Sequence, residues 1–347
     1  LTLDKIAKIL SPFGKVSMVG ESFAVIKFKP TGEKEDIDIA IPRVDVKTAK
    51  GHKGFFVKTK NVSILEDLKR RDFTINSIAV NIDNGEIIDP FDGLFHLRTK
   101  QIVATDKNAF IEDPLRMLRG IQFASRFNFK INPATKRLIK NNAHLLREIT
   151  PERILEEFNK ILYKNGDLST ALKIIAETGV DAIIFNKKIT PIENIGKLDD
   201  ISFYYTLGTL SNMPPAEFYK NRLKGEYQIS KEIEALDALM NSAKKDNKHN
   251  LSYNIFKISN RYPKVLDSVI LPKEAIDIIN DMKNGLIPLI IKDIKIDGND
   301  VIEYTGFSGA KIGIILEKMY RDALLKKYDF ANREETLKYL LANYAKK

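Results

Sequence analysis

Hydrophobic positions fall in short alternating runs over the first hundred residues and recur at helical spacing afterwards. Val16 to Val19, Phe23 to Phe28, Ile37 to Ile41, Phe55 to Lys58, Ile75 to Ile82 and Glu86 to Ile88 are rich in β-branched and aromatic residues. Gly, Pro, Asn and Lys separate them, which predicts strands joined by turns. Leu3 to Leu10 predicts one opening helix. From about Phe110 the period changes. Asn132-Pro133 and Thr150-Pro151 each place a capping residue ahead of a proline at the first helical position. Ile154, Leu155, Phe158, Ile161 and Leu162 then form an apolar stripe. Pro214-Pro215 marks a helix entry or a hinge, and the polar run from Lys244 to Asn250 predicts a loop. Turn-rich segments at Asp297 to Asp300 and Gly306 to Gly309 precede an amphipathic helix from about Lys311 to Lys327. The pattern is α+β in front and all-α behind.

Composition narrows the class without choosing a function. With 347 residues, two to three domains are expected. Hydrophobic residues at 44% and charged residues at 29% match a globular chain, and no apolar run approaches the roughly 20 residues of a membrane helix. The absence of cysteine excludes disulfides, thiolate metal sites and cysteine nucleophiles, and fits a reducing, cytoplasmic setting. His52, His96, His144 and His249 show no metal spacing. No signal-peptide pattern opens the chain, which begins at Leu1. The net charge of +10 is spread evenly over the thirds of the chain, and a finer window between Arg116 and Lys164 holds eleven Lys and Arg against four Asp and Glu. Such an excess suits a polyanion, or simply a solvated helical surface.

Three segments carry candidate chemistry. In Asp36-Ile37-Asp38-Ile39-Ala40-Ile41 a strand places Asp36 and Asp38 on one face and the isoleucines on the other. Adjacent carboxylates repel unless solvent or a cation relieves them, and their hard oxygens suit Mg²⁺. Upstream, Gly20 and Ser22 offer a backbone and hydroxyl cradle for phosphate. An exposed acidic strand face is the plain alternative. In Lys69-Arg70-Arg71-Asp72-Phe73-Thr74-Ile75-Asn76 the arginines neutralise phosphates, while Asp72 and Asn76 can hydrogen-bond ribose hydroxyls; a salt-bridged turn is the alternative. In Glu112-Asp113-Pro114-Leu115-Arg116-Met117-Leu118-Arg119, Asp113 reads as a helix cap, with Arg116 one turn later. The pair is either a cap with an intrahelical ion pair or a base reader. A carboxylate accepts from the exocyclic amine of cytosine or adenine and a guanidinium donates to the ring acceptors, which admits CTP and ATP.

Taken in this order, the segments resemble the class II tRNA nucleotidyltransferase (CCA-adding) and bacterial poly(A) polymerase family. Asp89-Pro90-Phe91-Asp92-Gly93 with Leu97 resembles its head-to-neck connection, Pro151-Glu152-Arg153 through Glu157 its neck helix, and Ile296 to Asp300 with Gly309 to Leu316 its tail. The chain departs from the family in having Gly20-Glu21-Ser22-Phe23 without the usual Arg-Asp, His96 in place of an aspartate and Val103 in place of a frequent arginine. Val44 to Gly54 is the counterpart of the family's flexible loop.

The resemblance implies an N-terminal polymerase-β-like nucleotidyltransferase sheet domain followed by all-α neck, body and tail, with a head over 1–105, neck over 106–180, body over 181–290 and tail over 291–347. It implies CCA addition to tRNA from CTP and ATP; CC-adding, A-adding and poly(A)-forming enzymes, or a silent RNA-binding protein on this scaffold, are the alternatives. Asp36 and Asp38 would hold two Mg²⁺ ions. Gly20, Ser22, Arg70, Arg71, Asp72, Asn76, Asp113, Arg116 and Arg119 would bind nucleotide, with Glu112, Arg153 and Glu157 as neck support. Lys136, Arg137, Lys140, Lys311 and Arg321 would meet the tRNA acceptor arm.

Overall fold

A computed structural model describes residues 2–19, 25–47, 55–58 and 62–345, which fall into two compact units. The first comprises Leu1–Ile184 with Lys188–Asn194 and carries every described strand. After helix α1 (Leu3–Leu10), an antiparallel sheet is built from β1 (Gly14–Val19), β2 (Val25–Pro30) and β3 (Ile37–Ala40). Period-two alternation sorts its faces. Ile26 and Phe28 are buried while Lys27 and Lys29 are exposed, and the register sets Asp38 opposite Lys27. The Phe23 to Phe28 expectation is met from Val25 onward, and Phe23 lies outside the described residues.

Part of the segment read as a loop is a strand: β4 (Val44–Lys47) pairs antiparallel with β5 (Phe55–Lys58). Two β-branched valines suffice for a ladder once a partner strand is present, and the partner is the Phe55 to Lys58 strand that the sequence predicts. Helix α2 (Ile64–Lys69) follows, opened by a reciprocal cap between Ser63 and Glu66. The continuous strand expected from Ile75 to Ile82 is replaced by a 3₁₀ turn over Thr74–Asn76 and a two-residue strand β6 (Ala79–Val80), paired with β7 (Ile87–Ile88). The amides of Asn76 and Ser77 donate back to the carbonyls of Phe73 and Thr74, so local turn bonds win over β-propensity here.

Helix α3 (Gly93–Arg98) seats on that turn. A Cβ at Gly93 would lie 2.3 Å from the Thr74 carbonyl oxygen, so only glycine permits the approach. A short parallel pair, β8 (Gln101–Ile102) with β9 (Lys130–Ile131), brackets α4 (Ala109–Glu112) and α5 (Leu115–Phe127). Helices α6 (Pro133–Asn142), α7 (Pro151–Tyr163), α8 (Leu168–Thr178) and α9 (Asp181–Ile184) complete the unit. Asn132 caps α6 as expected by accepting from the Ala134 amide; Thr150 precedes α7 without a side-chain cap bond. Of the α7 stripe, Ile154, Phe158 and Ile161 are buried. Phe73 is fully buried against α5, where a Cβ at Gly120 would lie 2.8 Å from its ring.

The second unit, Phe185–Lys187 with Ile195–Lys347, is helical throughout its described elements. It runs through α10 (Asp200–Thr209), α11 (Pro215–Glu217) with a π-helical continuation over Phe218–Arg222, α12 (Tyr227–Lys245), α13 (Lys248–Arg261) and α14 (Lys273–Lys283), then α15 (Gly298–Thr305), α16 (Ala310–Leu324) and α17 (Arg333–Tyr344). Pro215 opens α11, which answers the question at Pro214-Pro215 in favour of helix entry. The polar run at 244–250 is almost all helix. Only Asp246 and Asn247 connect α12 to α13, and Asn247 caps α13 by accepting from Asn250. Asp297 likewise caps α15, so that turn-rich segment is a helix start. Its core joins Tyr253, Phe256, Ile294, Val301, Met319 and Tyr320, with the Phe256 and Tyr320 rings stacked at 3.6 Å between centroids.

Candidate active site

The first unit contains a cleft of about 650 Å³. Its described lining is Arg70, Arg71, Asp72, Asn76, Asp113, Leu115, Arg116, Arg119, Phe123, Arg153, Glu156, Glu157 and Lys160. Nine of these are residues that the sequence singled out, drawn from the turn after α2, the start of α5 and the face of α7.

The arginines are held by specific partners. Arg70 donates to the carbonyl of Arg43 at 2.8 Å and to Asp67 Oδ1 at 2.6 Å, and Arg71 reaches Asp67 Oδ2 at 3.4 Å. Burial pushes the Asp67 carboxyl upward, but the Arg70 hydrogen bond, the Arg43 amide and the charges of Arg70 and Arg71 outweigh it and hold Asp67 below the usual range. Arg71 also donates to the Asn76 carbonyl at 3.0 Å, and its side chain is 43% exposed, which leaves it presented to a ligand.

The intrahelical ion pair between Asp113 and Arg116, one of the two readings of this helix start, does not form. The N-cap of α5 is Pro114 rather than Asp113, which stands one residue earlier with its Oδ1 accepting from the Leu115 amide at 3.2 Å, and the charge partner of Asp113 is Arg153 of α7 at 3.3 Å. Arg116 turns the other way, donating to the carbonyls of Ala109 at 3.3 Å and Arg70 at 2.7 Å and to Glu112 at 3.4 Å. The extended backbone of Asp113, with ψ 98°, takes its side chain out of helical register, so spacing alone misassigned the partner. A guanidinium has five N–H donors, so three such bonds leave donors over for a ligand. Arg119 grips Asp72 Oδ2 through Nε at 2.8 Å and Nη2 at 2.7 Å, and its guanidinium lies 5.3 Å from the Phe123 ring centroid.

Lys160, Glu156, Leu115 and Phe123 were missed. Helical spacing was the available signal: Phe123 follows Arg116 and Arg119 on α5, and Glu156 and Lys160 follow Arg153 on α7. Glu157 is buried and takes Lys160 at 2.7 Å, while its second oxygen has no hydrogen-bond partner among the described residues. Behind the 74–76 turn, His96 Nδ1 lies 3.0 Å from Thr74 Oγ1, so the residue that departs from the family pattern braces this site.

Asp38 is exposed on β3 and Asp36 is exposed just before it, since the strand expected from residue 36 begins at Ile37; both lie outside the cleft lining, and neither forms an ion pair among the described residues. Gly20 and Ser22 lie outside the described residues. No group of three or more described His, Asp or Glu side chains converges as a metal site. Among the proposed RNA-facing residues, Lys136 is paired with Glu177, Arg137 and Lys140 are exposed on α6, and Lys311 and Arg321 are exposed on α16. Arg321 lies 3.8 Å from the Tyr253 ring centroid and Lys311 lies 5.2 Å from that of Phe307. No described helix is long and apolar enough to cross a membrane.

Residues 4–103 match the poly A polymerase head domain, and residues 128–189 match the probable RNA and SrmB-binding site of polymerase A. A CCA-adding enzyme of Lactobacillus johnsonii is 29% identical over 286 residues, covering 76% of this chain and 68% of that protein. One from Coxiella burnetii is 34% identical over 232 residues, covering 64% of this chain and 59% of that protein. The fold is shared with the Bacillus stearothermophilus CCA-adding enzyme in complex with CTP at a TM-score of 0.70 and 22% identity, over 96% of this chain and 85% of that one. It is shared also with the Thermotoga maritima CCA-adding enzyme complexed with tRNA at a TM-score of 0.67 and 23% identity, over 98% and 84%. The strand-bearing segment is thus similar to the poly A polymerase head domain, the helices behind it to the RNA-binding segment of the same polymerases, and the chain as a whole to CCA-adding enzymes.

Proposed function

We propose that this chain completes the 3′ end of tRNA, adding C, C and then A from CTP and ATP without a nucleic-acid template and releasing pyrophosphate. The observation that supports this reading is the cleft, which brings Arg70, Arg71, Asp72, Asn76, Asp113, Arg116 and Arg119 around one space of about 650 Å³. Asp113 accepts from the exocyclic amine that cytosine and adenine share, and the spare N–H groups of Arg116 donate to the ring acceptors beside it. Uracil and guanine present a carbonyl to that carboxylate and are refused. Arg71 meets the triphosphate, while Arg70 is fixed by Asp67 and shapes the turn. Phe123 supplies an apolar wall beside Arg119.

The donor set on β3 fits a divalent metal. Asp36, just before β3, and Asp38, on it, are exposed two residues apart and offer acceptor-only oxygens, and Mg²⁺ is commonly held by one or two carboxylates with substrate phosphates completing its shell. Asp36 and Asp38 would hold two such ions, whose chemistry would be to activate the RNA 3′-hydroxyl and neutralise the leaving pyrophosphate. The 1–105 head thus performs transfer and the 106–180 neck chooses the base. The body over 181–290 and the tail over 291–347 serve RNA, with Arg137, Lys140, Lys311 and Arg321 meeting the phosphates of the acceptor arm.

The test is incorporation on tRNA transcripts ending before the first C, after C and after CC, with sequenced 3′ ends. Completion to CCA followed by arrest supports the proposal. Arrest after CC with ATP present, action on the CC-ended transcript alone, or long A tracts on unrelated RNA each assign a different product and overturn it.

A further inference from the structure

Helices α5 and α7 run side by side in the same direction. Asp113 meets Arg153 at their starts, Leu118 and Ile121 share a small apolar cavity with Glu157, Phe158 and Ile161 midway, and the Asp167 amide just beyond α7 donates to the Ser125 carbonyl at 3.2 Å near the end of α5. The cleft therefore lies along the seam of two helices. Its lining residues recur at one-turn spacing, with Arg119 and Phe123 on α5 and Arg153, Glu156 and Lys160 on α7. One turn further on stand Phe127 and Lys164.

Phe127 continues the row. Its ring stacks on that of Phe123, with 5.8 Å between centroids and 14° between planes, and the Arg126 guanidinium lies 4.8 Å from its centroid, much as Arg119 lies over Phe123. Phe127 is 41% exposed, and Tyr163, at the same end of α7, is 65% exposed. Arg126 and the exposed Lys164 form no ion pair among the described residues. Open aromatic faces beside uncompensated cations are the groups by which proteins hold single-stranded nucleic acid, since rings and guanidinium planes stack on bases while the charges meet the backbone.

We infer that Phe127 and Arg126 form a stacking platform for an unpaired base of the RNA upstream of its growing 3′ end, with Lys164 meeting the phosphate beside it. The inference rests on the nucleotide-adding function proposed above and extends it from the incoming nucleotide to the strand being lengthened. Continuity with the cleft selects the occupant. Eleven residues of helix separate Arg116 from Phe127, a rise of about 16 Å, which spans a few nucleotides of a single strand rather than one. On a tRNA the base at that remove is the unpaired one that precedes the CCA end. Every base has a stacking face, so the platform holds the strand without reading it, which suits a position whose base varies from one tRNA to the next.

The experiment measures equilibrium binding of the full chain to a tRNA transcript ending in CC and to the same transcript with an abasic site just before the two cytidines. Wild type, Phe127→Leu, Phe127→Tyr, Arg126→Gln and Lys164→Gln are compared, with melting recorded for each. Removing the base is expected to weaken wild-type binding about tenfold, and Phe127→Leu to weaken binding of the intact transcript about tenfold, the scale of one stacked base. The two losses are not expected to add, because each removes the same contact. Phe127→Tyr should bind as wild type does. Arg126→Gln and Lys164→Gln should each weaken binding several-fold and flatten its salt dependence. In turnover, KM for the transcript should follow these changes while KM for ATP stays constant. 5-Iodouridine placed before the two cytidines should cross-link to Phe127 on irradiation. An abasic penalty undiminished in folded Phe127→Leu, or a cross-link that maps away from the end of α5, would overturn the inference alone. If Phe127→Leu does not fold, unchanged binding by both Arg126→Gln and Lys164→Gln overturns it instead. A wild type that binds and cross-links as expected but adds no nucleotide supports the platform and overturns the function.

Discussion

The cleft of the first unit and the aromatic cluster of the second use charge in opposite ways. In the cleft, Arg116 and Asn76 are each fixed by some of their polar atoms and retain others toward open space, and Arg71 stays half exposed. In the second unit the polar atoms close the fold. Tyr320 donates to the Pro288 carbonyl at 2.5 Å and Tyr328 to that of Met319 at 2.9 Å. Asp300 takes the Asp297 amide at 2.8 Å and Arg333 at 2.5 Å, and Asp322 takes Lys327 at 2.6 Å and Tyr344 at 2.8 Å. Polar groups with capacity left over signal ligand binding, whereas groups consumed within the chain signal stability. Four experiments test that contrast.

The largest effect is expected at Asp36 and Asp38. Replacing either by Ala should lower nucleotide addition by about a thousandfold or more, through loss of transition-state charge stabilisation. Both are exposed, so melting should be nearly unchanged. Labelled incorporation measured beside thermal unfolding checks it; substantial turnover by both variants would remove β3 from the chemistry.

Next come Asp113→Ala and Arg116→Ala, which should admit UTP or GTP by about one to two factors of ten relative to ATP and CTP, the scale of one base-reading pair. Arg116 also latches two backbone carbonyls, so its variant should lose about 1 kcal/mol of stability as well. Single-nucleotide assays with each triphosphate read the first effect and denaturant titration the second.

The opposite signature is expected at Asp300→Ala. Its loss leaves the Asp297 amide and Arg333 without their acceptor and should destabilise the second unit by about 1–3 kcal/mol. Turnover per folded molecule, measured well below the melting temperature, should be unchanged. A loss of activity without a loss of stability would show that the contrast drawn here is false.

The smallest effects are in pH. Burial works to raise the Asp67 and Asp300 carboxyls, and their arginine partners outweigh it, so both lie below the ordinary range in the fold. Their stabilisation is therefore present above the unfolded value of about 4 and is lost as pH falls through the lower folded values. Tyr205, in the second unit, is pushed up to about 12 by burial and then by Asp237. Its stabilisation is full below about 10, the ordinary tyrosine value, and is lost as pH rises toward the folded value. Unfolding followed across pH should show the acid loss shrink in Asp67→Asn and the alkaline loss shrink in Tyr205→Phe.

Local signals determined a good part of this protein. The period of two sorted the faces of β2, with Ile26 and Phe28 inside and Lys27 and Lys29 outside, and the Asn132-Pro133 pair started α6 where it stands. The arginine-rich turn and the Asp113 helix start were recognisable because capping and phosphate chemistry need particular residue types at short spacing. Tertiary structure alone decided which partner each charge took. Asp113 chose Arg153, forty residues away, over Arg116, and Asp72 chose Arg119, forty-seven away, because a bent backbone at the helix start redirected side chains that ideal spacing would pair. It also replaced an apparent strand at Ile75 to Ile82 with a turn, since amide bonds back to Phe73 and Thr74 and the bridge from Asp72 to Asn76 outweighed β-propensity. Propensity and spacing act within a few residues, whereas the last lone pair of a buried carboxylate goes to whichever donor packing brings to it.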